Sequence, residues 1–227
     1  MRGKIIILVL IGLTFSFCTN SKNGSVTPEP VQLDKSYLAL GDSYTVGEGV
    51  SSAEAFPALL IQKLKEKQLE YETPNVVAKT GWTTGELMEA LEEANIQRNF
   101  DLVTLLIGVN NQYRGLSIEE YRTEFRELLQ RALIFASNKR ENVRVISIPD
   151  WGVSPFAANR DRAVISKEID AFNEVKREET EALNILFIDI TEISRTALNK
   201  DQYFAPDGLH FSKEMHLLWV EELLKTF

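Results

Sequence analysis

Two short stretches of this chain hold residues suited to chemistry: Gly41-Asp42-Ser43, and Asp207-Gly208-Leu209-His210. Acyl transfer needs a nucleophile, a base, a group that orients the base, and donors aimed at a developing oxyanion. The Ser43 hydroxyl can be the nucleophile and the His210 imidazole the base that takes its proton. Residues i and i+3 of a tight turn stack on one side. The Asp207 carboxylate can therefore accept from one ring nitrogen while the other faces Ser43. Gly41 makes a sharp turn before the serine sterically easy, and Gly208 relieves the backbone between the acid and the base. Asp150 is a second candidate acid, but its spacing to His210 is not fixed locally. Each residue has a plainer role open to it: Ser43 as a helix N-cap, Asp207 as a turn former, His210 as a loop histidine bonded to backbone. His216 lies among apolar residues of the last helix and reads as structural.

The elements that must position these groups are legible from apolar patterning. Tyr37–Leu40, Val76–Lys79, Leu102–Ile107, Val143–Ile148 and Ile185–Ile190 are short apolar runs, most of them without polar alternation, as in strands buried on both faces. Between them, apolar residues recur three or four apart, as in Ile118, Tyr121, Phe125, Leu128 and Leu129, or Ile165, Ile169, Phe172 and Val175. Ser51 with Glu54, Thr83 with Glu86, and Ser117 with Glu120 have the capping-box spacing of helix starts. Strand–helix alternation repeated five times implies an α/β fold with a parallel sheet and helices on both faces. No repeat of 20–50 residues is present, so one domain of residues 35–227 is expected. Ligands of such sheets lie beyond the carboxyl ends of the strands. There the first strand runs into Gly41-Asp42-Ser43-Tyr44-Thr45, the second into Thr80-Gly81-Trp82, and the third into Gly108-Val109-Asn110-Asn111. Pro206-Asp207-Gly208-Leu209-His210 follows the fifth.

Taken in order, these four blocks resemble the SGNH (GDSL-type) hydrolases, and the resemblance spans Ser36 to Phe227. It implies a flavodoxin-like three-layer α/β/α sandwich with a five-stranded parallel sheet of order 2-1-3-4-5. It also implies a serine esterase with Ser43, Asp207 and His210 as catalytic residues, needing no metal or other cofactor. The oxyanion donors it implies are the Ser43 and Gly81 N–H groups and the Asn110 side chain. In that strand order the strands carrying Gly81 and Asn110 flank the one carrying Ser43, each about 4.8 Å away. The family's third block usually reads Gly-x-Asn-Asp; here Asn111 replaces its last residue, which bears on local loop bonding. The family includes lysophospholipases, thioesterases and carbohydrate deacetylases. Thr80–Thr84 and Asn110–Gly115 lean toward the lysophospholipase-like branch, with a carbohydrate O-deacetylase or a non-catalytic ligand-binding protein as alternatives. Trp82, Tyr113, Arg114 and Trp151, with Phe156, are candidate pocket walls, although Trp151 and Phe156 can equally pack as core.

Other chemistries find less support. Gly47-Glu48-Gly49 lacks the final glycine of a dinucleotide fingerprint, and there is neither a phosphate-cradling Gly-x-x-x-x-Gly-Lys run nor a Gly-x-Ser-x-Gly elbow. One Cys and two His are too few for the common zinc clusters, and one Cys forms no internal disulfide. With 25 basic against 33 acidic residues, net −8, and no basic stripe, a nucleic-acid partner is not expected.

The N-terminus adds an address. Arg2 and Lys4 precede the apolar run Ile5–Leu13, which is too short to span ~30 Å of hydrocarbon. Cys18 follows, and residues 1–18 are similar to a bacterial lipoprotein signal, although Phe17 stands where a small residue is usual. That resemblance implies export to the cell envelope and attachment to the membrane through a lipidated Cys18. Cleavage before Cys18 leaves 23 basic against 33 acidic residues, net −10. Such a body is repelled by anionic lipid, so attachment rests on acyl chains. Residues 19–34 are polar, contain Pro28 and Pro30, and read as a flexible tether.

Overall fold

The computed structural model describes residues 35–227. The signal of residues 1–18, with Cys18, and the tether of residues 19–34 lie outside the described residues. The apolar runs form five strands: β1 (Tyr37–Gly41), β2 (Asn75–Ala78), β3 (Leu102–Leu106), β4 (Val143–Ile146) and β5 (Leu186–Ile188). All pair in parallel, in the order β2-β1-β3-β4-β5. The three inner strands are buried along their whole length, as cover on both faces requires. The edge strands differ. Val76 in β2 and Leu186 in β5 are exposed.

Helices α1 (Ser43–Val46) and α2 (Phe56–Glu66) carry the chain from β1 to β2, and α3 (Thr84–Ala94) returns it to β3. Then α4 (Val109–Tyr113) and α5 (Ile118–Phe135) lead to β4, α6 (Arg162–Ala182) leads to β5, and α7 (Thr191–Arg195) and α8 (Lys213–Leu223) follow. The chain moves one way from β1 to β2 and the other way thereafter. Right-handed crossovers then put α2 on one face and α3, α5 and α6 on the other. Packing agrees: α2 lies against α8, and α5 lies against both α3 and α6. Tyr121 packs on Phe125 and Phe172 on the α5 side, with ring centres 5.7 and 4.8 Å apart. On the α8 side, Phe211 packs on Tyr44 and Trp219 at 5.8 and 5.3 Å. No described helix is long and apolar enough to cross a membrane.

The three capping-box spacings have three outcomes. Thr83 and Glu86 form the reciprocal box at the start of α3. Ser117 caps α5 by accepting from the N–H groups of Glu119 and Glu120, but its hydroxyl donates to Glu119 and not to Glu120. Ser51 and Glu54 form no helix start. Their 2.8 Å bond closes a turn, and α2 begins at Phe56 behind an uncapped Ala55. Pro57 in the first turn, which has no N–H to satisfy, sets that start instead.

Candidate active site

Gly41 ends β1 where neighbouring chains crowd the turn. A Cβ there would lie 2.2 Å from both the Leu106 carbonyl oxygen and Thr45 Oγ1. The glycine is thus required by close approach, not by a left-handed backbone. The next residue, Asp42, is the N-cap of α1, its Oδ1 accepting from the Tyr44 N–H at 3.0 Å. The cap role open to Ser43 therefore falls to Asp42, and Ser43 is left as the first helical residue, lining a cavity.

Asp207 and His210 sit in a loop closed by the Phe204–Phe211 bridge and by the Ala205 N–H, which donates to the His210 carbonyl at 2.8 Å. Gly208 has φ +67°, a left-handed value that glycine adopts at no steric cost. This turn brings Asp207 Oδ2 to 2.5 Å from His210 Nδ1, while Oδ1 accepts from the N–H groups of Leu209 and His210 at 2.9 and 3.0 Å. Burial alone would raise the Asp207 carboxyl. The His210 ring and the two backbone donors outweigh it and hold the group below its ordinary value. The Tyr44 ring meets the His210 ring edge-on at 5.9 Å.

These loops enclose a cavity of about 160 Å³ bordered by Ser43, Asn110 and His210. Tyr44, Val109, Tyr113, Trp151 and Leu209 complete its walls. Among the described residues no hydrogen bond joins Ser43 to His210. Such contacts tighten in hydrolases when substrate arrives. Asn110 Nδ2 donates to the Trp82 carbonyl at 2.9 Å, which fixes the amide and leaves its second N–H free to point elsewhere. Gly81 has φ +91°, and Arg114 Nη2 donates to its carbonyl at 2.6 Å. Gly81 does not border the cavity, nor do Trp82 and Arg114. Arg114 instead braces the Gly81 turn and pairs with Glu86 at 3.3 Å. Of the expected walls, Tyr113 and Trp151 are in place.

Asp150 is buried and engaged elsewhere, with Ser166 Oγ at 2.7 Å and Arg195 Nε at 2.9 Å from its Oδ2. His216 is buried against Trp219, as a structural histidine would be. Beneath the nucleophile turn lie two buried ionisable groups that spacing did not single out. Burial pushes the Asp42 carboxyl up and the Lys176 amine down, and their opposite charges pull each back toward the ionised form. Lys176 Nζ donates to the Ile146 carbonyl at 2.9 Å, and Asp42 Oδ2 has no hydrogen-bond partner among the described residues. Among the described residues no three His, Cys, Asp or Glu side chains gather as a metal site.

Residues 39–218 match the model of the GDSL-like Lipase/Acylhydrolase family. The chain belongs to that family. Membership makes this GDSL-like protein a serine ester hydrolase. No curated protein matches its sequence significantly. Among solved structures, it is similar to a psychrotrophic esterase, EstA, from Pseudoalteromonas sp., at 18% identity and TM-score 0.64, covering 85% of this chain and 96% of that one. A lipase/acylhydrolase from Enterococcus faecalis matches at 23% identity and TM-score 0.64, covering 84% and 94% of the two chains. An acetylxylan esterase from Geobacillus stearothermophilus matches at 19% identity and TM-score 0.64, covering 85% and 93%. At these identities the GDSL-like chain and the three enzymes share a fold.

Proposed function

We propose that this protein hydrolyses carboxylic esters through an acyl-enzyme on Ser43. The observation that carries the reading is the meeting of Ser43, Asn110 and His210 at one cavity, with the Asp207 carboxylate 2.5 Å from the His210 ring. The bond to Asp207 holds the proton on Nδ1, so Nε2 is free to act as base. Nε2 takes the hydroxyl proton as Oγ attacks the ester carbonyl carbon. The bond to the alcohol oxygen then breaks, and Nε2 returns the proton to that oxygen. Water repeats the sequence on the acyl-enzyme and releases the acid. In both steps the carbonyl oxygen becomes negative; the Ser43 N–H and the free Asn110 N–H, both on residues of the cavity wall, are the donors assigned to it, and the Gly81 N–H, off that wall, is the third that the family resemblance implies. Loss of one such donor costs about 10²–10³-fold in kcat. The reading calls for no cofactor.

For the substrate we favour a lysophospholipid-like ester or another acylated small molecule with an apolar part. Tyr113 and Phe156 support this, since both rings are exposed beside the Ser43 cavity. A second reading, removal of acetyl groups from a carbohydrate, is favoured by the cavity's small volume, about 160 Å³. A chain-length series of p-nitrophenyl esters beside acetylated sugars separates the two. A fluorophosphonate probe tests the chemistry itself. Labelling of the wild type that is lost in Ser43→Ala is expected, and a folded protein that never labels would instead be a ligand-binding module.

The same proposal places the enzyme in the bacterial cell envelope, held by a lipidated Cys18 on the tether of residues 19–34. The apolar run before Cys18 supports it. Cys18→Ser is expected to move the protein from the membrane fraction to the soluble fraction.

A further inference from the structure

Arg160 lies in the loop before α6, its N–H donating to the Ala157 carbonyl at 3.0 Å. Its guanidinium carbon is 5.4 Å from the ring centres of Tyr113 and Trp151 and 5.2 Å from that of Phe156. Nη2 also donates to the Tyr113 phenol oxygen at 3.3 Å. Three rings thus hold one cation, and two of them, Tyr113 and Trp151, are walls of the cavity that contains Ser43.

The platform is itself fixed. Trp151 is buried, and its indole N–H donates to Gln112 Oε1 at 2.8 Å. Gln112 in turn donates to Glu168 at 2.7 Å. A long side chain normally loses rotamer freedom when it binds a ligand. Arg160 is already ordered by its rings, and cation–π attraction draws the guanidinium against them.

Seven other arginines reach a carboxylate within 4.0 Å. Arg160 pairs with none among the described residues, although the chain has 33 acidic residues against 25 basic. Arg140, Arg144 and Arg162 also reach no carboxylate among the described residues, but the Arg144 and Arg162 guanidinium groups are spent on backbone carbonyls. A guanidinium has five N–H donors in a planar fork that matches the oxygens of a carboxylate or phosphate. One donor is used on Tyr113. The fork is left without its natural partner at the rim of a site that binds esters.

We propose that Arg160 is a specificity-determining residue that selects esters carrying an anionic group on the part of the substrate that leaves the cavity past Tyr113 and Trp151. The inference rests on ester hydrolysis at Ser43 and adds the charge of the substrate to it. An ester whose carbonyl sits at Ser43 extends along those two rings toward the guanidinium. A carboxylate on a dicarboxylic acyl group and a phosphate on the alcohol share the chemistry that the fork recognises.

The test compares matched esters that differ in one charge, using the full chain. On the acyl side the pair is mono-p-nitrophenyl glutarate and p-nitrophenyl pentanoate. On the alcohol side it is a butyryl ester of glycerol phosphate and monobutyrin. The quantity read is the ratio of kcat/KM for the anionic ester to that for its neutral partner, in wild type, Arg160→Gln and Arg160→Lys. The expected result is a fall of about tenfold or more in Arg160→Gln for at least one pair, carried by KM, with Arg160→Lys between the two. The pair that responds tells carboxylate from phosphate. The wild-type ratio should also shrink as salt rises from 50 to 500 mM, in the manner of an exposed charge contact. Equal ratios in wild type and Arg160→Gln for both pairs would overturn the proposal while leaving ester hydrolysis intact. Calorimetric binding of the same esters to Ser43→Ala, with and without Arg160→Gln, reads the contact without turnover. An Arg160-dependent preference there upholds the anion site even if no ester is cleaved, and its absence overturns it.

Discussion

The Phe156 N–H donates to the Gly208 carbonyl at 2.8 Å, joining the aromatic wall of the cavity to the loop that carries Asp207 and His210. Pro155 closes the same junction, its Cβ lying 3.4 Å from where a side chain on Gly208 would begin. The base is thus positioned by a second loop as well as by its own turn. Gly208→Ala loads the turn, because φ +67° costs a non-glycine residue about 1–2 kcal/mol, while the new methyl only comes into contact with Pro155. We expect a loss of about 1–2 kcal/mol in unfolding free energy and a fall of about tenfold or more in kcat, with KM changed less. Denaturant unfolding and steady-state kinetics check this, and unchanged kcat in a destabilised protein would show that the junction does not position His210.

The Asn111 departure has a local explanation. Asn111 Oδ1 accepts from the Thr84 N–H at 3.1 Å, and its Nδ2 donates to Thr84 Oγ1 at 2.7 Å. The Thr84 hydroxyl spends its own proton on Glu124. Residue 111 must therefore donate to that oxygen, which an amide can do and a carboxylate cannot. Asn111→Asp leaves two carboxylates competing for one hydroxyl proton in a buried place. It should destabilise the fold by about 1–3 kcal/mol. Adding Glu124→Gln should recover most of that loss, as measured by urea unfolding of the two variants, and no recovery would refute the explanation.

Asp42 and Lys176 make a test of what lies under the nucleophile. Asp42→Asn can still accept from the Tyr44 N–H, so the α1 cap survives while the charge goes. Lys176→Met removes the opposite charge and the bond to Ile146. If the two charges sustain each other, a double-mutant cycle should give a coupling of about 1–3 kcal/mol, the double variant being more stable than the sum of the singles implies. A coupling near zero would mean that one of the pair is neutral in the folded protein.

How much of this was legible in the sequence follows the range of the interactions. The strand runs and the order of the four blocks carried the sheet and the loops at its carboxyl ends. Asp207 and His210 were readable as partners because three residues and one glycine fix their geometry locally. The Ser51–Glu54 spacing misled for the same reason in reverse: it satisfies the capping pattern, but Pro57 decides where α2 starts. Trp82 and Arg114 have the size and charge of pocket residues, yet both are tied to the turn at Gly81, Arg114 through the Gly81 carbonyl and Trp82 through its N–H to the Lys79 carbonyl. Asp42 and Tyr44 lay within the first block without a role of their own, and Lys176 gave no signal. Their roles come from contacts across more than one layer, which neither spacing nor residue type encodes.

His216 supplies a stability test at a residue outside the active site. It is buried, its Nδ1 lies 3.2 Å from the Glu54 carbonyl oxygen, and its ring packs 4.7 Å from that of Trp219. Burial lowers it from the ordinary 6.5 to about 4, against the smaller upward pull of the Glu54 carbonyl, and His210 nearby adds to the lowering. A histidine with a depressed folded value is neutral in the fold while its unfolded counterpart takes up a proton. Its contribution is therefore complete above pH 6.5 and is lost as the pH falls toward 4. At 1.36 kcal/mol per unit, the full effect is about 3 kcal/mol. His216→Gln removes the titration whatever it does to stability at pH 7. Between pH 7 and pH 4, wild type should lose about 3 kcal/mol more unfolding free energy than the variant. Parallel pH profiles for the two proteins would show that His216 takes no part in the acid limb.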